Sequence, residues 1–139
     1  MPLPDGRGAY GVMLTTRPYM AFYEDTAVVA DKPISFEKGP LFIVAVHASA
    51  YSTGRWGPIV GRVLKGSLPS APAFFRQNVL NLADCVVVDA GGLETKVAPE
   101  ACVGLERSAV WSAEHIESRI ADQYAGRPNV FVESMKVKL

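Results

Sequence analysis

The side chains able to make or break covalent bonds are few in this sequence and stand far apart. Acyl transfer by a serine or cysteine needs a histidine base within reach and a carboxylate to orient it. Only His47 and His115 are available as bases. His47 ends the most apolar run of the chain, Leu41-Phe42-Ile43-Val44-Ala45-Val46, so it reads as a core or sheet-edge histidine bonded to a backbone carbonyl. His115 follows Glu114 in the first turn of a helix, a solvated position. A zinc site needs Cys and His ligands in closely spaced pairs. Cys85 and Cys102 are seventeen positions apart and neither has a near partner, so they read as reduced thiols filling core space. Gly54, Gly57 and Gly61 lack the Lys-Ser or Lys-Thr ending of a phosphate loop. No catalytic residue, metal ligand set or cofactor is therefore expected.

The chemistry left is that of recognition. Arg55-Trp56 follows the polar, flexible Tyr51-Ser52-Thr53-Gly54, and Trp and Arg are the residue types most enriched among binding hot spots. Arg76, in Phe74-Phe75-Arg76-Gln77, and Glu106 and Arg107, in Gly104-Leu105-Glu106-Arg107-Ser108-Ala109-Val110-Trp111, complete the set of candidate partner-binding residues. The competing reading is structural: Trp56 anchors its loop into the core and Arg55 pairs with a carboxylate. Trp111, just ahead of a helix, reads as a core staple.

Composition narrows the partners. The 139 residues suffice for one core, hence one domain over 1–139. The 14 basic and 14 acidic residues cancel, leaving no general field to draw in nucleic acid or an anionic membrane. The longest apolar run is far short of the roughly 20 residues that span a bilayer. Met1-Pro2-Leu3-Pro4-Asp5-Gly6 lacks the features of a secretory signal, so the cytoplasm is the expected compartment.

These residues need elements to hold them. Leu3-Pro4-Asp5-Gly6-Arg7 has the chemistry of a tight turn, leading into a strand over Ala9–Leu14. Only two residues precede that turn, so a first strand is expected to be missing and the edge it would cover to be open to a second copy of the chain. Further strands are expected at Tyr19–Tyr23, Ala27–Val29, Phe42–Val46, Trp56–Leu64 (bent), Phe74–Gln77, Cys85–Asp89 and Leu93–Val97, and a last one at Asn129–Val137. Asp31-Lys32-Pro33 breaks regular structure, and Ala90-Gly91-Gly92 turns a hairpin. One clear helix starts at Ser112, with Ala113, Ile116, Ile120 and Tyr124 as its buried stripe and Glu114, Glu117, Arg119 and Asp122 toward water, and Gly126 and Pro128 end it. The sum is an α+β domain: a strongly bent, mainly antiparallel sheet, a partial barrel, with one helix from the C-terminal half packed on it.

Taken in order, Leu3-Pro4-Asp5-Gly6-Arg7, Tyr10-Gly11, Ala21-Phe22-Tyr23, Ser52-Thr53-Gly54-Arg55-Trp56, Phe74-Phe75-Arg76-Gln77, Gly104 to Trp111 and Tyr124-Ala125-Gly126-Arg127-Pro128 resemble the immunity protein 26 family of bacterial polymorphic toxin systems. The resemblance implies a small cytoplasmic protein that docks a cognate toxin domain and neutralises it, with one more strand ahead of Leu3. Zero net charge departs from the acidic character common among nuclease inhibitors, which argues against a basic nuclease as the partner. The family name also carries an association with a phosphotriesterase. The alternative it implies is a metal-assisted phosphotriester hydrolase, separable by measuring bound metal and paraoxon hydrolysis; a regulatory protein-binding module without enzymatic activity is the third reading.

Overall fold

The computed structural model describes residues 1–24, 38–59, 61 and 68–139. The short strand expected at Ala27–Val29 and the break at Asp31–Pro33 fall outside them, as do residues 60 and 62–64 of the bent strand expected over Trp56–Leu64; the described part of that segment, Trp56–Ile59 and Gly61, is loop and not strand.

The Pro-Asp-Gly turn forms as its residues dictate: Gly6 takes a positive φ of 83°, the Gly6 amide donates to Leu3 O (3.1 Å), and Leu3 N donates to Arg7 O (2.9 Å). It returns the chain into β1 (Ala9–Met13), which pairs antiparallel with β2 (Tyr19–Glu24), itself antiparallel to β3 (Phe42–Val46). A short helix, α1 (Ser49–Ser52), follows. Beyond the loop come β4 (Phe74–Gln77), β5 (Cys85–Val88) and β6 (Glu94–Val97), antiparallel throughout. The β5–β6 hairpin closes on Asp89, whose Oδ1 accepts from the amides of Gly91 (2.8 Å) and Leu93 (2.9 Å).

After a 3-10 turn (Pro99–Cys102) the chain forms β7 (Glu106–Arg107), parallel to β4, and β8 (Val110–Trp111), parallel to β3. The architecture is α+β and mainly antiparallel, as expected, but the single bent sheet resolves into two mixed four-stranded sheets, ordered β1-β2-β3-β8 and β6-β5-β4-β7, not closed into a barrel. The Glu106–Trp111 ribbon carries the chain from one sheet to the other: β7 belongs to the second and β8 to the first. The Tyr19 and Phe74 rings, stacked at 5.0 Å, add a second tie between them.

The main core lies between the first sheet and helix α2 (Ala113–Tyr124), where Ala113, Ile116 and Ile120 meet Phe22, Phe42, Val44, Val46 and Trp111. Trp111 is buried there, as its place before the buried stripe implies. Gly126 ends α2 at a φ of 66°, with Arg127 N bonded to Asp122 O and Gly126 N to Gln123 O, the bond pair of a Schellman cap. Ser112 holds the extended cap conformation at the start, although its hydroxyl makes no cap bond.

Two expectations are corrected. Asn129–Val137 is not a strand but contains a helix, α3 (Val130–Ser134), because Asn129 Oδ1 accepts from the amides of Phe131 and Val132 and starts a helical turn where the apolar alternation suggested extension. Glu117 and Arg119 do not face water: both are buried, Glu117 against Arg55 sixty-two positions upstream and Arg119 against Glu106 and the Phe42 ring.

Cys85 and Cys102 are buried, reduced neighbours in the second sheet's core with Phe75. Burial and the adjacent Cys85 hold the Cys102 thiol above its ordinary pKa.

Candidate partner-binding surface

Arg55 and Trp56 leave the end of α1 through a turn in which Gly54 and Gly57 both take φ of 80° and Gly57 N donates to Gly54 O (3.0 Å). That turn aims both side chains at the first two turns of α2. Arg55 grips Glu117 with its planar fork, Nε to Oε1 and Nη2 to Oε2, each at 2.8 Å, and its Nη1 reaches Glu114 at 2.9 Å. Trp56 Nε1 donates to the same Glu117 Oε1 at 2.8 Å, while its indole meets the Phe22 ring edge-on (5.9 Å, 84°). One buried carboxylate thus accepts three bonds from two successive residues.

The electrostatics follow. The Arg55 fork holds the Glu117 carboxyl below its ordinary value, against burial, which raises it; the Trp56 bond adds to the lowering. In return Glu117 raises the guanidinium's pKa further. Glu114 is lowered first by its own backbone amide and then by Arg55. Arg55 and Trp56 therefore fasten the loop to α2, the structural role weighed against binding. Part of each remains open to solvent.

The other candidates lie elsewhere. Arg76 pairs with Glu94 across the exposed face of the second sheet. Glu106 pairs with Arg119, whose guanidinium lies over the Phe42 ring at 3.9 Å and the Trp111 ring at 5.0 Å. Arg107 donates from Nε to Met135 O (3.0 Å) and covers the Phe75 ring at 4.8 Å. All five candidates have partners within the fold, and only Arg55 and Trp56 share one site.

Beside that site lies an apolar groove of about 590 Å³, walled by β1, Met20, Tyr51, the Trp56–Ile59 segment and Leu68. Among the described residues that line it no side chain is charged, and the N-terminal ammonium of Met1 stands at its edge. Its floor is kept close by Gly11, where a Cβ would come within 2.9 Å of Met20 Cε and 3.1 Å of Phe22 Cε1. Ile59 stands at its rim, 91% exposed.

Among the described residues β1 is the outer strand of its sheet. Met1 N and Ala9 O bond at 3.0 Å and Ala9 N and Met1 O at 3.0 Å, so Met1 covers only the near end of the outer edge. By the alternation of an antiparallel ladder, the N–H and C=O groups of Gly11 and Met13 point the same way as those of Ala9, toward that edge. Among the described residues no strand pairs with them there. Sequence reasoning missed Tyr51, Ile59 and Met13; the apolar Ile59 between glycines was the only local signal, and it read equally well as a strand.

Among the described residues no group of three or more His, Cys, Asp or Glu side chains is placed to hold a metal ion. His47, expected in the core or at a sheet edge with a backbone carbonyl as partner, is exposed just past the end of β3, and its ring meets Ser49 instead: Nδ1 receives the Ser49 amide (3.3 Å) and contacts the Ser49 hydroxyl (2.8 Å), closing the start of α1. His115 stacks on Phe131 at 3.9 Å. No described helix is long and apolar enough to cross a membrane.

Comparison with protein-family models, with curated proteins and with solved structures gives no match, so the likeness to the immunity protein 26 family rests on the quoted strings alone.

Proposed function

We propose that the protein is an immunity-type inhibitor that works in the bacterial cytoplasm by docking a cognate toxin domain and blocking it without catalysis. The observation that carries this reading is the groove beside the edge of β1, flanked by Tyr51 and Trp56, whose described lining offers no charged side chain. An extended segment laid along it would gain main-chain hydrogen bonds from Gly11 and Met13 and bury apolar side chains against Trp56 and Ile59, the strand-addition mode of peptide recognition. The fastening of Trp56 to Glu117 holds one wall in place before the partner arrives, so little is lost to ordering on contact. Net charge of zero suits a partner recognised by shape and apolar contact rather than by long-range attraction.

The test is co-expression with the toxin domain encoded beside the gene. Wild type should restore growth; Ile59→Asp, which places a charge at an exposed rim position, should lose protection while melting as wild type does. Full protection by a folded Ile59→Asp variant would sink the groove as the docking site, and failure of wild type to protect would sink the immunity reading.

A further inference from the structure

The second sheet ends on β6, which pairs with β5 on one side and, among the described residues, with no strand on the other. The hydrogen bonds around it fix which backbone groups face that open side. Asp89 N donates to Leu93 O (3.1 Å), whereas Asn78 N donates to Asp84 O (3.0 Å), so alternate residues of β5 bond β6 and β4. By the alternation of an antiparallel ladder, Thr95 and Val97 direct their N–H and C=O groups at β5, and Glu94 and Lys96 direct theirs outward. The side chains of Glu94, Thr95 and Lys96 are exposed, and Leu93 just ahead of them is 68% exposed. Glu94 pairs with Arg76 on the sheet's exposed face. Lys96 lies on the same face by the strand's two-residue period and has no ion-pair partner among the described residues.

Charges on a short outer strand ordinarily discourage pairing. Here their order selects a partner. Two copies of β6 laid antiparallel form ladder bonds only in registers that bring the outward residues, Glu94 and Lys96, opposite one another. Glu94 against Glu94, or Lys96 against Lys96, opposes like charges and is disfavoured. The register centred on Thr95 instead sets each Glu94 against Lys96 of the other copy, so the residues that exchange both backbone bonds also carry opposite charges. On the opposite face it lays exposed Leu93 of each copy against Val97 of the other. We propose that the β6 edge pairs with the β6 edge of a second copy of this chain, about a two-fold axis through Thr95, so that one sheet runs across both copies. The contact is isologous and closes as a dimer. A strand of this length buries far less than the roughly 1,200 Å² of a stable interface, so the dimer is weak and reversible. No residue lining the β1 groove belongs to β6, so the pairing stands apart from the inhibitor reading.

Sedimentation equilibrium of the full chain, from about 5 μM to about 1 mM, tests this, a range that brackets a dissociation constant of roughly 100 μM. Wild type should pass from monomer to dimer and no further. Glu94→Lys and Lys96→Glu, each checked for fold by circular dichroism, oppose like charges and should be monomeric alone. Mixed, they restore opposite charges and should dimerise as wild type does. The register is read by oxidation with glutathione disulfide. Thr95→Cys sets two thiols in a directly opposed pair with Cα atoms about 4.5 Å apart, within disulfide reach, whereas the two thiols of Glu94→Cys lie on a diagonal of roughly 7–8 Å. Thr95→Cys should therefore form a covalent dimer roughly tenfold faster, and wild type, whose cysteines are buried, should form none. A wild type monomeric throughout, a dimer indifferent to both charge reversals, or equal crosslinking by the two cysteine variants overturns the proposal.

Discussion

Glu106→Ala should cost the fold far more than a surface substitution does. The Arg119 side chain is only 10% exposed, lies over two aromatic faces, and directs Nη1 and Nη2 at the two Glu106 oxygens. Removing one partner of a fully buried pair costs about 3–5 kcal/mol because a charge is left uncompensated. Glu106 keeps 29% of its side chain in contact with solvent. Water can then approach the orphaned guanidinium, and the expected loss falls to about 2 kcal/mol. With a urea m-value of about 1.5 kcal/mol/M, the midpoint should drop by about 1.3 M with the slope unchanged. The double variant Glu106→Ala/Arg119→Met removes both charges and keeps an apolar stem against Phe42 and Trp111, so it should be about 1 kcal/mol more stable than Glu106→Ala alone. A loss below about 0.5 kcal/mol for the single variant, the usual range for surface sites, or a double variant weaker than the single, would refute the reasoning.

Trp56→Phe keeps a ring against Phe22 but removes the donor to Glu117, so it should cost about 1 kcal/mol in urea titration; an unchanged midpoint would mean that the bond adds nothing. Asn129→Ala strips the cap of α3 and the 2.8 Å bond from Asn129 Nδ2 to Asp122 Oδ2, for an expected loss of about 1–2 kcal/mol and reduced helicity by circular dichroism; a loss of a few tenths would contradict the cap. Acid should destabilise the protein. Glu117 is lowered from its ordinary 4.5, chiefly by Arg55, and Asp122 from 3.8, chiefly by Asn129 and then Arg127. The unfolded chain therefore takes up protons first, so these contributions are complete above the ordinary carboxyl values and fade as pH falls through the lower folded ones. Melting temperatures at stepped pH should be flat above about pH 6 in this respect and decline below about pH 4.5, and the decline should be shallower in Glu117→Gln.

The parts of this fold that declare themselves are those whose bonds are local. The Asp89 hairpin, the Pro-Asp-Gly turn and the Gly126 cap are each closed by bonds between residues at most five positions apart, so residue type was enough to place them. α2 was legible because Ala113, Ile116 and Ile120 recur at helical spacing. Division into two sheets was not, because it depends on the Glu106–Trp111 ribbon pairing in parallel with strands thirty and more than sixty positions upstream. The same distance hid Glu117, while Arg119 was hidden by the Phe42 ring far upstream and by Glu106 thirteen positions back. A carboxylate on a helix looks solvated until Arg55 and Trp56 arrive from some sixty residues away. Val130–Ser134 was misread because a short apolar run has no period of its own, and the Asn129 cap decided it. Of the candidate site, Arg55 and Trp56 were legible as residues but not as a fastening, and the groove they border draws on β1, α1 and the loop after it.

The most direct test of the proposed docking at the β1 groove is to take a toxin domain from a neighbouring gene as the proposed partner and titrate it, purified, into wild type and into Ile59→Asp in a calorimeter. The account predicts saturable one-to-one binding by wild type and an affinity at least roughly tenfold weaker, about 1.4 kcal/mol, for the equally well folded variant. Equal affinities for the two, or no heat of binding to wild type, would contradict it.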